Sequence, residues 1–133
     1  MIGPAHHVGI AVKRLEDALV TYGTLGFAAE SVEEVPSQGV RVAFVRAGGV
    51  WIELLESLAP DGVVARFVER HGEGLHHLAF LVTDIRAEMR RLQEAGLRLV
   101  DPVPRLGAHG RLVAFVHPNS ARGVLVELVE ERR

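Results

Sequence analysis

Cysteine is absent from the 133-residue chain, which excludes disulfides, thiolate metal ligands and cysteine nucleophiles. Aromatic residues are scarce, at 5% of the sequence, with a single tryptophan. No excess of positive charge exists either, since the formal net charge is -2. The broad basic face that neutralises nucleic-acid phosphates is therefore missing, and we expect no nucleic-acid partner.

Long hydrophobic runs are missing as well. No apolar stretch approaches the roughly 20 residues that a membrane-spanning helix needs. The first residues, MIGPAHHVGIAV, lack the charged and then apolar pattern of a signal peptide. We therefore expect no membrane partner and a cytoplasmic location.

The remaining composition is that of an ordinary globular protein, with 48% hydrophobic and 24% charged residues. A chain of this length folds as one compact domain that buries roughly two thirds of its unfolded surface. We expect a single domain over residues 1–133.

The sequence repeats itself. Residues 6–12 (HHVGIAV) match residues 76–82 (HHLAFLV) at an offset of 70 positions. The offset grows to 71 between residues 42–45 and 113–116, both VAFV, and to 74 between residues 52–56 (IELLE) and 126–130 (VELVE). Such self-similarity predicts two copies of one structural unit.

Each half predicts the same order of elements, βαβββ, and therefore an α+β protein. In the first module, about 5–56, a helix with Leu15 on its apolar face ends near Gly26. In the second, about 75–130, Asp84 is the expected helix N-cap and Gly96 the stop. A linking helix is expected over about 60–72. The expected strands cover residues 6–12, 27–32, 39–46 and 50–56, then 76–82, 97–101, 110–117 and 123–130.

Alternation along the first strand of each module separates small from bulky side chains. His7 and His77 share a face with small residues, whereas His6 and His76 share the bulky face expected to pack on the helices. In the last strand, Glu53 or Glu127 interrupts an apolar run, and a buried carboxylate needs a cation or a strong hydrogen-bond partner.

Two imidazoles and two carboxylates at matching positions of matching units indicate a divalent metal site. The expected ligands are His7, Glu53, His77 and Glu127. Nitrogen and oxygen donors suit Co, Zn, Ni or Mn, and these ions overlap too far in preference for the sequence to choose among them.

Several motifs together resemble the vicinal-oxygen-chelate superfamily (glyoxalase, bleomycin-resistance and dioxygenase proteins) and, within it, the methylmalonyl-CoA epimerases. They are HVGIAV at 7–12, GLHH at 74–77, LGAHG at 106–110, and HP at 117–118 followed by GVLVEL at 123–128. The resemblance implies that the two modules form a curved mixed sheet around a metal cleft, with helices on the outer face.

The resemblance also implies an isomerase that epimerises C2 of an acyl-CoA substrate, methylmalonyl-CoA, and a homodimer. Removing the C2 proton beside the thioester requires stabilisation of an enolate, which a divalent ion provides as a Lewis acid. Inversion requires a base on one face and an acid on the other, and Glu53 and Glu127 are the expected catalytic pair.

The chain departs from the epimerase pattern at two positions. Some of these epimerases carry glutamine at the place of Glu53 and a catalytic glutamate at the place of Val42. A metal-binding glutamate at the Glu53 position resembles glyoxalase I, which is the main alternative function. An extradiol dioxygenase, with two His and one Glu on iron, fits less well because of Glu53, and a small-molecule-sequestering protein of the same fold would need no metal.

Overall fold

The computed structural model describes residues 1–131, which divide into two compact units. The first unit comprises residues 7–76, and the second comprises residues 1–6 together with the chain from His77 onward. Residues 1–6 join the second unit through main-chain hydrogen bonds such as that from the Gly3 N–H to the Leu81 carbonyl, 2.8 Å long.

The first module follows the predicted order βαβββ. Its strands form a mixed sheet in the order β2-β3-β4-β1, in which β1 runs parallel to β4 and the other neighbours are antiparallel. A further helix, α2, follows the sheet. The elements are β1 (Ala5–Ala11), α1 (Leu15–Thr24), β2 (Ala29–Val35), β3 (Val40–Ala47), β4 (Val50–Ser57) and α2 (Val63–His71).

The second module repeats this order with a shorter edge strand. Its sheet runs β6-β7-β8-β5, again with one parallel pair, β5 and β8, while the other neighbours are antiparallel. The α+β class and the two βαβββ units predicted from the sequence are therefore confirmed. The elements are β5 (Gly74–Val82), α3 (Ile85–Glu94), β6 (Arg105–Leu106), β7 (Leu112–Val116) and β8 (Val126–Glu130).

The strand expected over residues 97–101 is wrong. Within that range only Leu99 forms a β-bridge, to Val116, and the edge strand is instead Arg105–Leu106. Pro102 and Pro104 lie between them, and proline lacks the N–H that a strand ladder needs. The prolines therefore interrupt the pairing and displace the edge strand toward the C-terminus.

One helix packs on one face of each sheet. Leu15 and Ala18 of α1 join Val45 and Leu54 in the first core cluster. In the second module Ile85, Met89 and Leu92 of α3 pack with Leu128, which is 0% exposed. The side chains that alternate with these along the strands point to the opposite face of each sheet.

Both helices begin at a carboxylate from the last strand of their own module. Glu56 Oε2 accepts a hydrogen bond from the Leu15 N–H (2.8 Å), and Glu130 Oε2 accepts one from the Ile85 N–H (3.0 Å). These bonds satisfy N–H groups that the first helical turn leaves unpaired. Asp84 adds the predicted N-cap, accepting from the Ala87 N–H at 3.1 Å. The duplication therefore includes the way each helix is attached to its sheet.

Within residues 1–131, none of the helices is long and apolar enough to span a membrane.

Candidate metal centre

The first module brings His7 and Glu53 together. Strands β1 and β4 are parallel neighbours, with His7 opposite Trp51 and Gly9 opposite Glu53. His7 and Glu53 are therefore diagonal neighbours on one face of the sheet, the face away from α1. His7 Nδ1 lies 3.1 Å from Glu53 Oε2.

The second module repeats this pair with His77 and Glu127. Ala79 of β5 and Phe115 of β7 both lie opposite Glu127 of β8, so Glu127 stands on the face that carries His77 and Ala79. His77 Nε2 lies 3.0 Å from Glu127 Oε1. The Phe115 ring meets the His77 ring edge to face, with centroids 6.0 Å apart.

All four side chains of the two pairs are buried. His7 is 3% exposed, Glu53 7%, His77 8% and Glu127 4%. A buried carboxylate without a partner costs several kcal/mol, so each glutamate depends on positive charge or on hydrogen-bond donors nearby. In each module, the histidine of that module lies within ion-pair distance of the glutamate.

The distances within each pair fit a shared metal ion. Two ligand atoms bound about 2.1 Å from one ion, and at right angles to each other, lie about 3.0 Å apart. The observed separations are 3.1 Å and 3.0 Å. The donors are imidazole nitrogen and carboxylate oxygen, which suit first-row divalent ions. The residues present therefore fit the metal that the sequence predicts.

The neighbouring histidine of β5 has a different environment. His76 is partly exposed, and its ring lies edge to face with Phe67 of α2, with centroids 4.8 Å apart. Adjacent residues of a strand point to opposite faces, so the side chain of His76 points away from the face that His77 occupies.

The sequence reasoning missed Arg46, a cation on the same face as the first pair. Arg46 lies opposite Trp51 in the β3–β4 register, and its guanidinium carbon lies 4.0 Å from the centroid of the Trp51 ring. Alternation along β3 puts Arg46 on the same face as Phe44 and Val42, but the sequence alone does not show its stacking on Trp51.

Two carboxyl groups with clearly lowered pKa values have structural roles outside these pairs. The pKa of Glu88 is lowered mainly by a hydrogen bond from the Met1 ammonium, 2.6 Å away, and further by Arg91. The pKa of Glu16 is lowered mainly by its hydrogen bond with Arg41. Both carboxyls belong to helices, where they tie α3 to the N-terminal residues and α1 to β3.

The family model of the glyoxalase/bleomycin resistance protein/dioxygenase superfamily matches residues 6–115. The chain belongs to this superfamily. A relative within it, the ethylmalonyl-CoA/methylmalonyl-CoA epimerase of Cereibacter sphaeroides, is 42% identical over 131 residues, covering 96% of this chain and 98% of that protein.

Solved structures of methylmalonyl-CoA epimerases have the same fold as this chain. The methylmalonyl-CoA epimerase of Mycobacterium tuberculosis has a TM-score of 0.90 at 37% identity, over 97% of this chain and 88% of that one. A variant of the Streptomyces coelicolor methylmalonyl-CoA epimerase in complex with 2-nitronate-propionyl-CoA has a TM-score of 0.93 at 33% identity, over 98% and 96%. The resemblance to the methylmalonyl-CoA epimerases is confirmed.

Proposed function

We propose that the chain is an isomerase that interconverts the C2 epimers of methylmalonyl-CoA. The relatives described above are epimerases of this substrate, and they match nearly the full length of the chain. The observation that carries the proposal is the buried histidine–glutamate pair that recurs at equivalent positions of both modules.

The four side chains His7, Glu53, His77 and Glu127 are proposed to hold one divalent ion. Neutral imidazoles and ionised carboxylates together carry two negative charges, which balance a divalent cation. Co, Zn, Ni and Mn all accept such donors. When bound, the ion supplies positive charge that stabilises the negative charge developing on the thioester oxygen.

Glu53 and Glu127 are the proposed proton carriers. As a carboxylate, one of them removes the C2 proton; as a carboxylic acid, the other returns a proton to the opposite face of C2. Each stands beside a buried imidazole that restricts its orientation. Their burial also limits access of water, which strengthens electrostatic interactions with the reacting atoms.

The chain's departure from some epimerases supports this assignment. Val42 is 1% exposed and cannot transfer a proton, so the strand that follows Gln38-Gly39 contributes no acid or base at this position. Glu53, on the neighbouring strand, is an acidic group that lies beside His7. The role of the second base therefore passes to Glu53 in this proposal.

A paired assay tests the function. With a divalent ion, the purified protein should exchange the C2 proton of methylmalonyl-CoA with solvent deuterium and should not isomerise the hemithioacetal of methylglyoxal and glutathione. The opposite result would favour glyoxalase I, which the epimerase relatives do not favour.

The variant Glu127→Gln separates an enzyme from a sequestering protein. An isomerase loses turnover because a glutamine amide transfers no proton, whereas a sequestering protein keeps its affinity for the ligand. Elemental analysis of wild type and of single alanine variants at the four ligands should give one ion per wild-type chain and less in each variant, since alanine, unlike glutamine, offers no ligand atom.

We further propose that the 133 residues act as one domain and that the protein is a cytoplasmic homodimer. The proposal of a dimer rests on the family resemblance. Light scattering at defined concentrations, with and without metal, measures the mass of the particle.

A further inference from the structure

The proposed substrate is an anion, and the overall charge of the chain does not attract it. A coenzyme A thioester carries phosphate groups, and methylmalonyl-CoA adds a free carboxylate, whereas the chain has a formal net charge of -2. Affinity for such a ligand therefore requires local cations close to the site.

In the first module, the strand face that bears His7 and Glu53 has one arginine and no lysine. The ladder registers place on this face His7, Gly9 and Ala11 of β1, Trp51, Glu53, Leu55 and Ser57 of β4, Val40, Val42, Phe44 and Arg46 of β3, and Ser31, Glu33 and Val35 of β2. Arg41, by contrast, lies on the other face, where it pairs with Glu16 and Glu56. Arg46 is thus the permanent cation among these strand positions.

Arg46 is held over Trp51. The guanidinium carbon lies 4.0 Å from the centroid of the indole ring. The indole ring also packs edge to face with the Phe44 ring, with centroids 6.4 Å apart and planes at 86°. Because Trp51 also lies opposite His7 in the β1–β4 register, the stacked cation and the histidine flank the same tryptophan.

The stacked guanidinium keeps most of its donors available. Its Nε lies 3.4 Å from a Glu30 oxygen, and both side chains of this pair are more than half exposed. An exposed pair at that distance contributes little and is readily displaced by a better acceptor. Within residues 1–131 the structure shows no hydrogen bond from the terminal nitrogens of Arg46. A planar guanidinium fixed by stacking, with free terminal N–H groups, is suited to bind an oxyanion in bidentate fashion.

We propose that Arg46, stacked on Trp51, binds an oxyanion of the acyl-CoA substrate. This inference rests on the proposed function, because it takes the ligand to be an acyl-CoA. The oxyanion is either a phosphate of the coenzyme or the free carboxylate of the acyl group. Both present the same pair of oxygen acceptors to a guanidinium.

Trp51 provides a direct measurement, because it is the only tryptophan in the chain. Titration of metal-loaded protein with coenzyme A, and separately with methylmalonate, should change the intrinsic fluorescence as the ligand approaches the Arg46–Trp51 stack. Arg46→Ala should raise the dissociation constant of one of the two probes about tenfold, at the low end for a hydrogen-bonded charge because the site is exposed. Arg46→Lys keeps the charge but loses the planar set of N–H donors, and it should raise the dissociation constant less.

Arg14→Ala is the matched control. Arg14 is an exposed arginine just before α1, and its side chain makes no capping hydrogen bond. The control removes the same charge from the first module and should leave both dissociation constants within about twofold of wild type, since screened surface charges act weakly.

The outcome for each probe identifies the oxyanion. A loss confined to coenzyme A identifies a phosphate, and a loss confined to methylmalonate identifies the carboxylate. If Arg46→Ala leaves both affinities unchanged, or if Arg14→Ala lowers them equally, the proposal is wrong.

Turnover distinguishes this proposal from the proposed function. If the oxyanion is a coenzyme phosphate, Arg46→Ala should raise KM for methylmalonyl-CoA about tenfold while kcat stays near wild type, since binding remote from the proton transfer is uniform between ground and transition states. If the oxyanion is the carboxylate, which is attached to C2 itself, kcat should fall as well. A wild-type protein that binds coenzyme A through Arg46 but fails to exchange the C2 proton would refute the epimerase assignment alone.

Discussion

Replacing Glu53 by glutamine removes a proton carrier while keeping an oxygen beside His7. The side chain is 7% exposed and its Oε2 lies 3.1 Å from His7 Nδ1, so the isosteric amide keeps the shape of the buried site. In the proposed mechanism Glu127 still serves one face of C2. The variant should therefore act on the two epimers differently.

The expected magnitude follows from the role of Glu53. A positioned acid or base contributes about 10²–10⁴-fold, so inversion should slow by that factor, a rise of about 3–5 kcal/mol in the barrier. The epimer whose C2 proton faces Glu127 should still exchange with solvent deuterium, but with retention of configuration. The other epimer should exchange slowly, because its proton faces the glutamine.

Mass spectrometry and chiral analysis of each separate epimer in deuterium oxide measure exchange and inversion independently. Glu127→Gln should give the reverse preference. Glu56→Gln is the matched control, because the same chemical change on the same strand falls beside α1 and should leave turnover unchanged. Inversion by Glu53→Gln at the wild-type rate would refute the reasoning. Equal loss of exchange for both epimers in a variant that keeps its full metal content would also refute it, because Glu53 would then act only as a metal ligand.

Four further outcomes follow from the structure. Glu130→Gln should lower the free energy of unfolding by about 1 kcal/mol in urea titrations, because a neutral amide replaces the carboxylate that accepts from the Ile85 N–H; an unchanged midpoint would contradict this. Because the Met1 ammonium and Arg91 lower the pKa of Glu88 below its ordinary 4.5, its contribution to stability is complete above that value and is lost as pH falls through the lowered pKa. Unfolding measured against pH should therefore show a shallower acid limb in Glu88→Gln than in wild type. Leu128→Ala should cost about 2–5 kcal/mol in the same titration, since Leu128 is 0% exposed in the core under α3. Chelation of the metal should stop C2 exchange and leave the far-ultraviolet circular dichroism nearly unchanged, because each sheet has its own apolar cluster with its helix.

The repeated pattern predicted the βαβββ order because residues that build a strand or a helix recur in both halves. The displaced edge strand was not predicted, because Leu97 and Leu99 are apolar at strand spacing and become partly buried, although this segment pairs through the single bridge of Leu99 to Val116 and does not continue as a strand. Leu97 and Leu99 are partly buried because they pack under α3. The periodicity of the sequence does not distinguish such packing from the burial of a strand within a sheet.

The positions of the histidine and glutamate side chains could be predicted from alternation along the strands. The position of Arg46 over Trp51 could not, because it depends on a tertiary contact. Alternation, together with the small residues that share its face, predicted that His7 points toward the site, and the β1–β4 register puts Glu53 on that same face. Arg46 became notable only once its stacking on Trp51 was seen, because an arginine near a strand end is by default a solvated side chain.

The spacing of the two glutamates in each final strand connects the chemistry to the fold. Glu53 and Glu56 are three residues apart, as are Glu127 and Glu130, so the members of each pair point to opposite faces of their strand. One carboxylate meets a histidine, and the other accepts from the first N–H of the helix on the far side. Strand β4 carries both glutamates, so its register with β1 determines both contacts. A shift of β4 by one residue relative to β1 would remove Glu53 from His7 and Glu56 from Leu15 together. The register that holds the helix in place is thus the register that aligns the proposed metal ligands, and the same constraint acts in the second module through Glu127 and Glu130.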